Sequence, residues 1–297
     1  MSTVYWLARG GSALAKWTPR PARHVLGSAV GAASYLAWRS KRLVTQQNMA
    51  QVTGRHVHDP HVRQLAYASW SNYGRYAADF LNFPNLDSCS IDRHSQDLTG
   101  EGTSWQERVA HALEPGRGII FTGAHFGNWD IAGIILSRVV PLSAVAETFR
   151  DRRLNELLQN QRKEKGINII PMEGSARRIL RVLQQNQAVA IIADRPMTAE
   201  QGVPISFFGR TTYVPGGPAA FALKSGASIV PGYVWYGPRN LWYVRAFPPI
   251  FPEEYRSGDH TKDVVQVTQR IYTTVEEMVR KWPTQWYMFR PFWPVHS

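Results

Sequence analysis

Gly118-Ile-Ile-Phe-Thr-Gly-Ala-His-Phe-Gly-Asn-Trp-Asp130 joins an apolar run bounded by glycines to a loop that carries a histidine and an aspartate. The first seven residues are too few for a helix and read as a buried strand. A helix over 128–138 follows, and the alternation repeats outward from there. Upstream, 105–113 and 61–81 have helical spacing, 54–60 reads as a loop, and Pro19 and Pro21 separate a first helix from a second. Downstream, the pattern predicts a short strand over 145–148, a polar helix over 151–165 stopped by Gly166, and a strand over 167–171. A helix capped by Ser175 runs to Gln185, and 188–193 is a second apolar run. Pro218 opens a helix that Gly226 closes, and strands are expected over 228–231, 233–236 and 241–247. Val264, Val267, Ile271, Val275, Met278 and Trp282 form the apolar stripe of a terminal helix. Strands alternating with helices imply an α/β fold with a mostly parallel central sheet flanked by helices.

Composition narrows the class. The 297 residues are 44% hydrophobic and 12% aromatic, enough for a packed core and incompatible with a disordered or collagenous chain. A single cysteine, Cys89, removes an internal disulfide framework and suits a reducing compartment. The chain shows no signal peptide with a small-residue cleavage site, and its longest uncharged apolar run, over 25–38, is too short to span a bilayer. Net charge is +12, and residues 1–63 carry nine Lys and Arg against one acid, Asp59. Basic residues there alternate with Trp6, Trp17, Tyr35 and Trp38, while Val4, Leu7, Gly11 and Leu14 share one helical face. That pattern suits an interfacial segment on anionic lipid. No nucleic-acid motif accompanies the charge, so no nucleic-acid partner is expected. Residues 1–85 are expected to form a helical, basic, membrane-contacting region of the same domain as the α/β core over 86–297. The expected location is the cytoplasmic face of the membrane, peripheral or with a short N-terminal anchor.

His125 stands just past a buried strand, where α/β folds place functional loops. Asp130 falls in the first turn of the next helix. A carboxylate there can orient one imidazole nitrogen and leave the other as a general base. Asn128 and Asp130 equally suit the capping of that helix, with His125 an ordinary loop histidine. Pro215-Gly-Gly-Pro looks like a loop entering a helix, where the amides of Gly216 and Gly217 can hold a phosphate or an oxyanion. Phe207 and Phe208 suit either an acyl channel or plain core. His56, His58, His61 and Asp59 form a polar, solvated cluster, and no metal site is expected. There is no Gly-x-Ser-x-Gly elbow, no phosphate-binding P-loop and no dinucleotide fingerprint.

His125-Phe-Gly-Asn-Trp-Asp130 resembles the His-x4-Asp motif of glycerolipid acyltransferases, in the form found in the bacterial lipid A biosynthesis (lauroyl) acyltransferase family, which includes phosphatidylinositol mannoside acyltransferases. The resemblance continues in order through Ala193-Asp-Arg195, Gly202-Val-Pro-Ile-Ser-Phe-Phe-Gly209, Val214-Pro-Gly-Gly-Pro218 and Trp282-Pro-Thr-Gln-Trp-Tyr-Met-Phe289. It implies a glycerolipid acyltransferase-like fold and transfer of a fatty acyl chain from acyl-CoA or acyl carrier protein to a hydroxyl of a membrane glycolipid or lysophospholipid. No cofactor beyond that co-substrate is implied. His125 takes the base role and Asp130 the orienting role, and Asp194 is a third catalytic candidate, standing where related enzymes carry a glutamate, one methylene longer, near the catalytic histidine. Arg195 and Arg150 are implied as phosphate-binding residues, and Asn128 joins them as a candidate substrate-binding residue. Two other readings stand beside this one: a thioesterase-like hydrolase using water, and a non-catalytic lipid-binding protein.

Overall fold

The computed structural model describes residues 3–294. Four helices come first: α1 (Thr3–Trp17), α2 (Arg20–Ala37), α3 (Arg39–Thr53) and α4 (Pro60–Leu81). The short helix α5 (Ser88–Arg93) and strand β1 (Ser95–Asp97) lead into α6 (Trp105–Leu113). The core then runs β2 (Ile119–Gly123), α7 (Trp129–Ser137), β3 (Leu142–Ala146), α8 (Arg152–Glu164), β4 (Ile167–Pro171), α9 (Ala176–Gln184) and β5 (Ala188–Ile192). A hairpin of β6 (Val203–Phe207) and β7 (Arg210–Val214) follows. The chain ends with α10 (Gly217–Ser225), β8 (Ser228–Tyr236), β9 (Trp242–Ala246), α11 (His260–Lys281) and an irregular C-terminal segment.

The main sheet has the order β1-β9-β8-β2-β5-β3-β4. Its five strands from β8 to β4 are mutually parallel, and β9 runs antiparallel to β8. Helices cover both faces in two apolar clusters. The strand read from Gly118 to Ala124 is thus central, with Ile119 and Ile120 fully buried. Its C-terminal end lies beside those of β5 and β8, the edge where parallel sheets hold their sites.

Several elements differ from the sequence expectation. The strand expected over 145–148 is β3, three residues earlier, because buried Leu142 and Ser143 carry its pairing while Glu147 and Thr148 are exposed. The two strands expected over 228–236 are one, β8. Residues 228–231 pair with β2 and 232–236 with β9, so the missing N–H of Pro231 falls near the changeover. The β6–β7 hairpin has no counterpart in the sequence reading, since Pro204 masks the first strand. Phe208 (φ +49°) and Gly209 (φ +73°) make its two-residue turn.

α2 packs on α4 through glycines. A Cβ on Gly27 would lie 2.4 Å from the Gly74 carbonyl oxygen, and one on Gly31 would lie 2.1 Å from that of Trp70. The backbones therefore touch, as in small-residue crossings between membrane helices. Arg23, His24 and Tyr35 face inward, while Val25, Leu26, Val30 and Leu36 face out. The side chains of Val4 and Leu7, part of the apolar face expected on α1, lie outside the described residues. No helix among the described residues is long and apolar enough to cross a membrane.

Candidate active site

The register of the sheet brings two side chains together. Gly123 of β2 pairs with Ile192 of β5, so His125 and Asp194 each stand two residues past that pair. Asp194 Oδ1 lies 2.5 Å from His125 Nδ1, and Oδ2 accepts a 2.8 Å bond from the His125 backbone N–H. The shorter aspartate side chain therefore reaches. Its carboxylate is almost fully buried, whereas the imidazole keeps 28% of its surface exposed. Burial alone would raise the Asp194 carboxyl. The charge of His125, its ring bond and its backbone bond outweigh that and hold the carboxyl below the ordinary value. With Nδ1 committed to Asp194, Nε2 is the ring nitrogen left to exchange a proton.

The loop is held on all sides. Gly127 adopts φ +59°, and a Cβ there would lie 2.0 Å from the Val234 carbonyl oxygen, so only glycine fits. Gly127 N–H donates to Gln285 O, Asn128 N–H to Val234 O, and Tyr287 N–H to His125 O. The C-terminal segment thus locks the histidine from one side. Trp129 lies edge-on to the His125 ring at 5.1 Å on another.

Asp130 does not do what its spacing suggested. It points away from His125 and takes bonds from Tyr76 Oη (2.7 Å) and Arg162 Nε (2.8 Å) and Nη2 (3.4 Å). One helical residue N-terminal to it, Trp129 covers the ring of Tyr76 at 4.0 Å. Burial alone would lower Arg162, and the Asp130 charge more than reverses this, so the guanidinium is held above its ordinary value. The orienting carboxylate of His125 is Asp194, because the parallel register points it inward while the first turn of α7 carries Asp130 toward α4 and α8. Tyr76 and Arg162 stand 54 and 32 residues from Asp130, and no spacing in the sequence marks them.

Asn128 is also repositioned. It is almost fully buried, its Oδ1 accepts the Ile131 N–H as the N-cap of α7, and its Nδ2 donates to Tyr236 Oη and Asp79 Oδ2. It holds the loop rather than facing a substrate. Asp79 in turn takes bonds from His24 and Tyr236, all of them buried.

Arg195 follows Asp194 and forms a two-pronged pair with Glu147 (2.7 and 2.8 Å) at the ends of β5 and β3. Arg195 is the first cause holding the Glu147 carboxyl low, and Arg290 and His125 act in the same direction. Arg150 is exposed on the loop after β3. Gly216 caps α10 and Gly217 begins it. Because α10 runs back along the sheet before β8, its N-terminus lies at the same edge as His125. A Cβ on Gly216 would meet Val203 at 2.5 Å, whereas Gly217 has open space. Phe207 and Phe208 are core, packed among Tyr272, Trp286, Phe292 and Trp293. Among the described residues no group of His, Cys, Asp and Glu has the arrangement of a metal site.

The family profile described as bacterial lipid A biosynthesis acyltransferase matches residues 1–294. The phosphatidylinositol mannoside acyltransferase of Mycolicibacterium smegmatis is 28% identical over 253 residues, covering 84% of this chain and 78% of the relative. That of Mycobacterium tuberculosis is 29% identical over 256 residues, covering 84% and 76%. Among solved structures, the 1-acyl-sn-glycerophosphate acyltransferase of Thermotoga maritima aligns over 88% of this chain and 98% of that one, with a TM-score of 0.40 and 12% identity.

Proposed function

The chain belongs to the bacterial lipid A biosynthesis acyltransferase family, and from that premise we propose that it moves a fatty acyl chain from acyl-CoA or acyl carrier protein to a hydroxyl of a membrane glycolipid or lysophospholipid. The names of the relatives point to mannosylated phosphatidylinositol as the acceptor class. The observation that carries the reading is the His125–Asp194 pair, with the imidazole open to solvent on its other edge.

In this mechanism His125 Nε2 takes the proton of the acceptor hydroxyl as its oxygen attacks the thioester carbonyl. Asp194 fixes the tautomer and stabilises the imidazolium that forms. The tetrahedral oxyanion rests on backbone N–H groups near Gly216 and Gly217 at the N-terminus of α10. Collapse breaks the C–S bond, and the imidazolium returns its proton to the departing sulfur. Arg195 and Arg150 hold a phosphate of donor or acceptor, which requires Arg195 to release Glu147. Asp130 acts at one remove, through Trp129 and α7.

Residues 1–85 serve as the membrane-contacting part of the same domain as the core over 86–297, on the cytoplasmic face. Support comes from the outward apolar stripe of α2 and from exposed Trp6, Trp17 and Trp38 beside Arg9, Lys16, Arg39 and Lys41.

The test is acyl transfer in vitro from acyl-CoA to mannosylated phosphatidylinositol, read by lipid mass spectrometry. His125→Ala is expected to lower transfer roughly 10²–10⁴-fold while the circular dichroism and melting curve stay those of the wild type. A loss under about threefold would remove His125 from the chemistry. Acyl release to water at the same rate with and without acceptor would make the protein a hydrolase.

A further inference from the structure

The C-terminal edge of the sheet carries a second surface with the chemistry of lipid contact. Three loops meet there, after β3, β4 and β5. They are tied by the Glu147–Arg195 pair and by a 3.1 Å bond from Thr148 Oγ1 to Glu173. Each loop presents one large apolar side chain to solvent: Phe149 (40% exposed), Met172 (47%) and Met197 (36%). Around them Arg153, Arg177 and Arg178 are exposed, and none has an ion-pair partner among the described residues. Of the acids nearby, Glu147 pairs with Arg195 and Asp151 caps α8, while exposed Glu173 bonds to Thr148 and exposed Glu200 to Thr198. This rim lies at the same edge of the sheet as His125, which stands two residues past the end of β2. Its helix α8 also packs against α1.

We infer that this rim is itself a membrane-contacting surface, with Phe149, Met172 and Met197 entering the headgroup layer of an anionic phospholipid bilayer and Arg153, Arg177 and Arg178 meeting its phosphates. The inference rests on the proposed lipid acceptor, whose acyl chains stay in the bilayer while its hydroxyl must reach His125. A rim that exposes apolar tips between unpaired arginines lets the acceptor pass without crossing water. Attachment is then at two places, the α2 face and the rim. An arginine at an anionic surface contributes roughly fivefold in binding, so two of them matter at the scale of tenfold or more.

The experiment uses the full chain with vesicles of phosphatidylcholine, with and without phosphatidylglycerol. In a Cys89→Ser background, an environment-sensitive fluorophore on Phe149→Cys is expected to shift to the blue on anionic vesicles and to be quenched by brominated lipid. Arg177→Gln/Arg178→Gln and Phe149→Ala/Met172→Ala are expected to weaken co-sedimentation on the order of tenfold. They should raise KM for vesicle-borne acceptor and leave kcat with detergent-dispersed acceptor unchanged. An unshifted, unquenched label with undiminished vesicle binding by the variants overturns the inference. So does a defect seen only with a carrier-protein donor and not with acyl-CoA, which would make the rim a docking face for an acidic protein. If the label is buried by lipid but the wild type acylates no lipid acceptor, the surface stands and the acceptor assignment falls.

Discussion

Two aspartates near His125 have separate roles, and their substitutions should separate. Asp194→Asn keeps the shape but removes the charge that steadies the imidazolium. Its kcat is expected to fall roughly 10²–10⁴-fold with little change in KM. Asp130→Asn leaves Arg162 buried beside a neutral amide, and an uncompensated buried charge costs about 3 kcal/mol. The expected result is a clear loss of melting temperature with a smaller loss of rate. Equal rate losses with unchanged melting curves would return Asp130 to the chemistry. The pH dependence has a definite sign. Because the native Asp194 carboxyl is held below its ordinary value, its contribution to stability is complete above about pH 4 and disappears as the pH falls through the lowered native value. Thermal melts of wild type and Asp194→Asn between neutral and acid pH should therefore converge on the acid side. The candidate histidine is legible in the sequence because it follows a glycine-bounded strand. Its partner Asp194 is reached only through the family resemblance, since 69 residues separate the two and no local spacing joins what the β2–β5 register brings together.

At the scale of elements, α4 is the beam of the molecule. One side receives the backbone of α2 at Gly27, Gly31 and Gly74. The rest buttresses the His125 loop through Tyr76 to Asp130 and Asp79 to Asn128, and the C-terminal segment through Ser69 to Trp286 O and Asn72 to Thr284 O. Gly31→Ala places a methyl against the Trp70 carbonyl and is expected to destabilise by about 2 kcal/mol, several degrees in Tm. Gly10→Ala, in open helical space on α1, should be neutral or stabilising. Comparable melts for the two variants would show that the crossing tolerates separation. Helices of the core fall close to their expected limits, since caps and apolar periods are local signals. α2 is different: no cap or apolar period marks which side packs, and glycines and polar residues turn inward while the apolar stripe turns out.

Over the whole molecule, the +12 charge divides by use rather than by position. Arg23 is buried and donates to Ala15 O and Thr18 O, Arg20 lies 3.7 Å over the Trp242 ring, and Arg42 donates to the last carbonyls of α2. These three are structural. Arg9, Lys16, Arg39 and Lys41 are the charges the proposed attachment assigns to an anionic surface. Charge reversal at Lys16, Arg39 and Lys41 is expected to weaken binding to phosphatidylglycerol vesicles by at least tenfold without a change in Tm, and added salt should mimic it. Reversal at Arg20 and Arg23 should instead lower Tm. Equal binding of wild type to neutral and anionic vesicles at all salt concentrations would defeat the electrostatic attachment.

By itself the sequence determined the α/β class, most of the core helices and strands, and the histidine at the end of a central strand. Those follow from signals a few residues long: apolar period, glycine boundaries and helix caps. Only the tertiary structure decided which carboxylate meets His125, which arginines face out, and that Asp130 braces α7. Each of those depends on the register of parallel strands or the facing of two helices, and so on contacts between residues tens to hundreds of positions apart. Local spacing carries no information about such contacts, because the physical neighbour is chosen by packing and not by the chain.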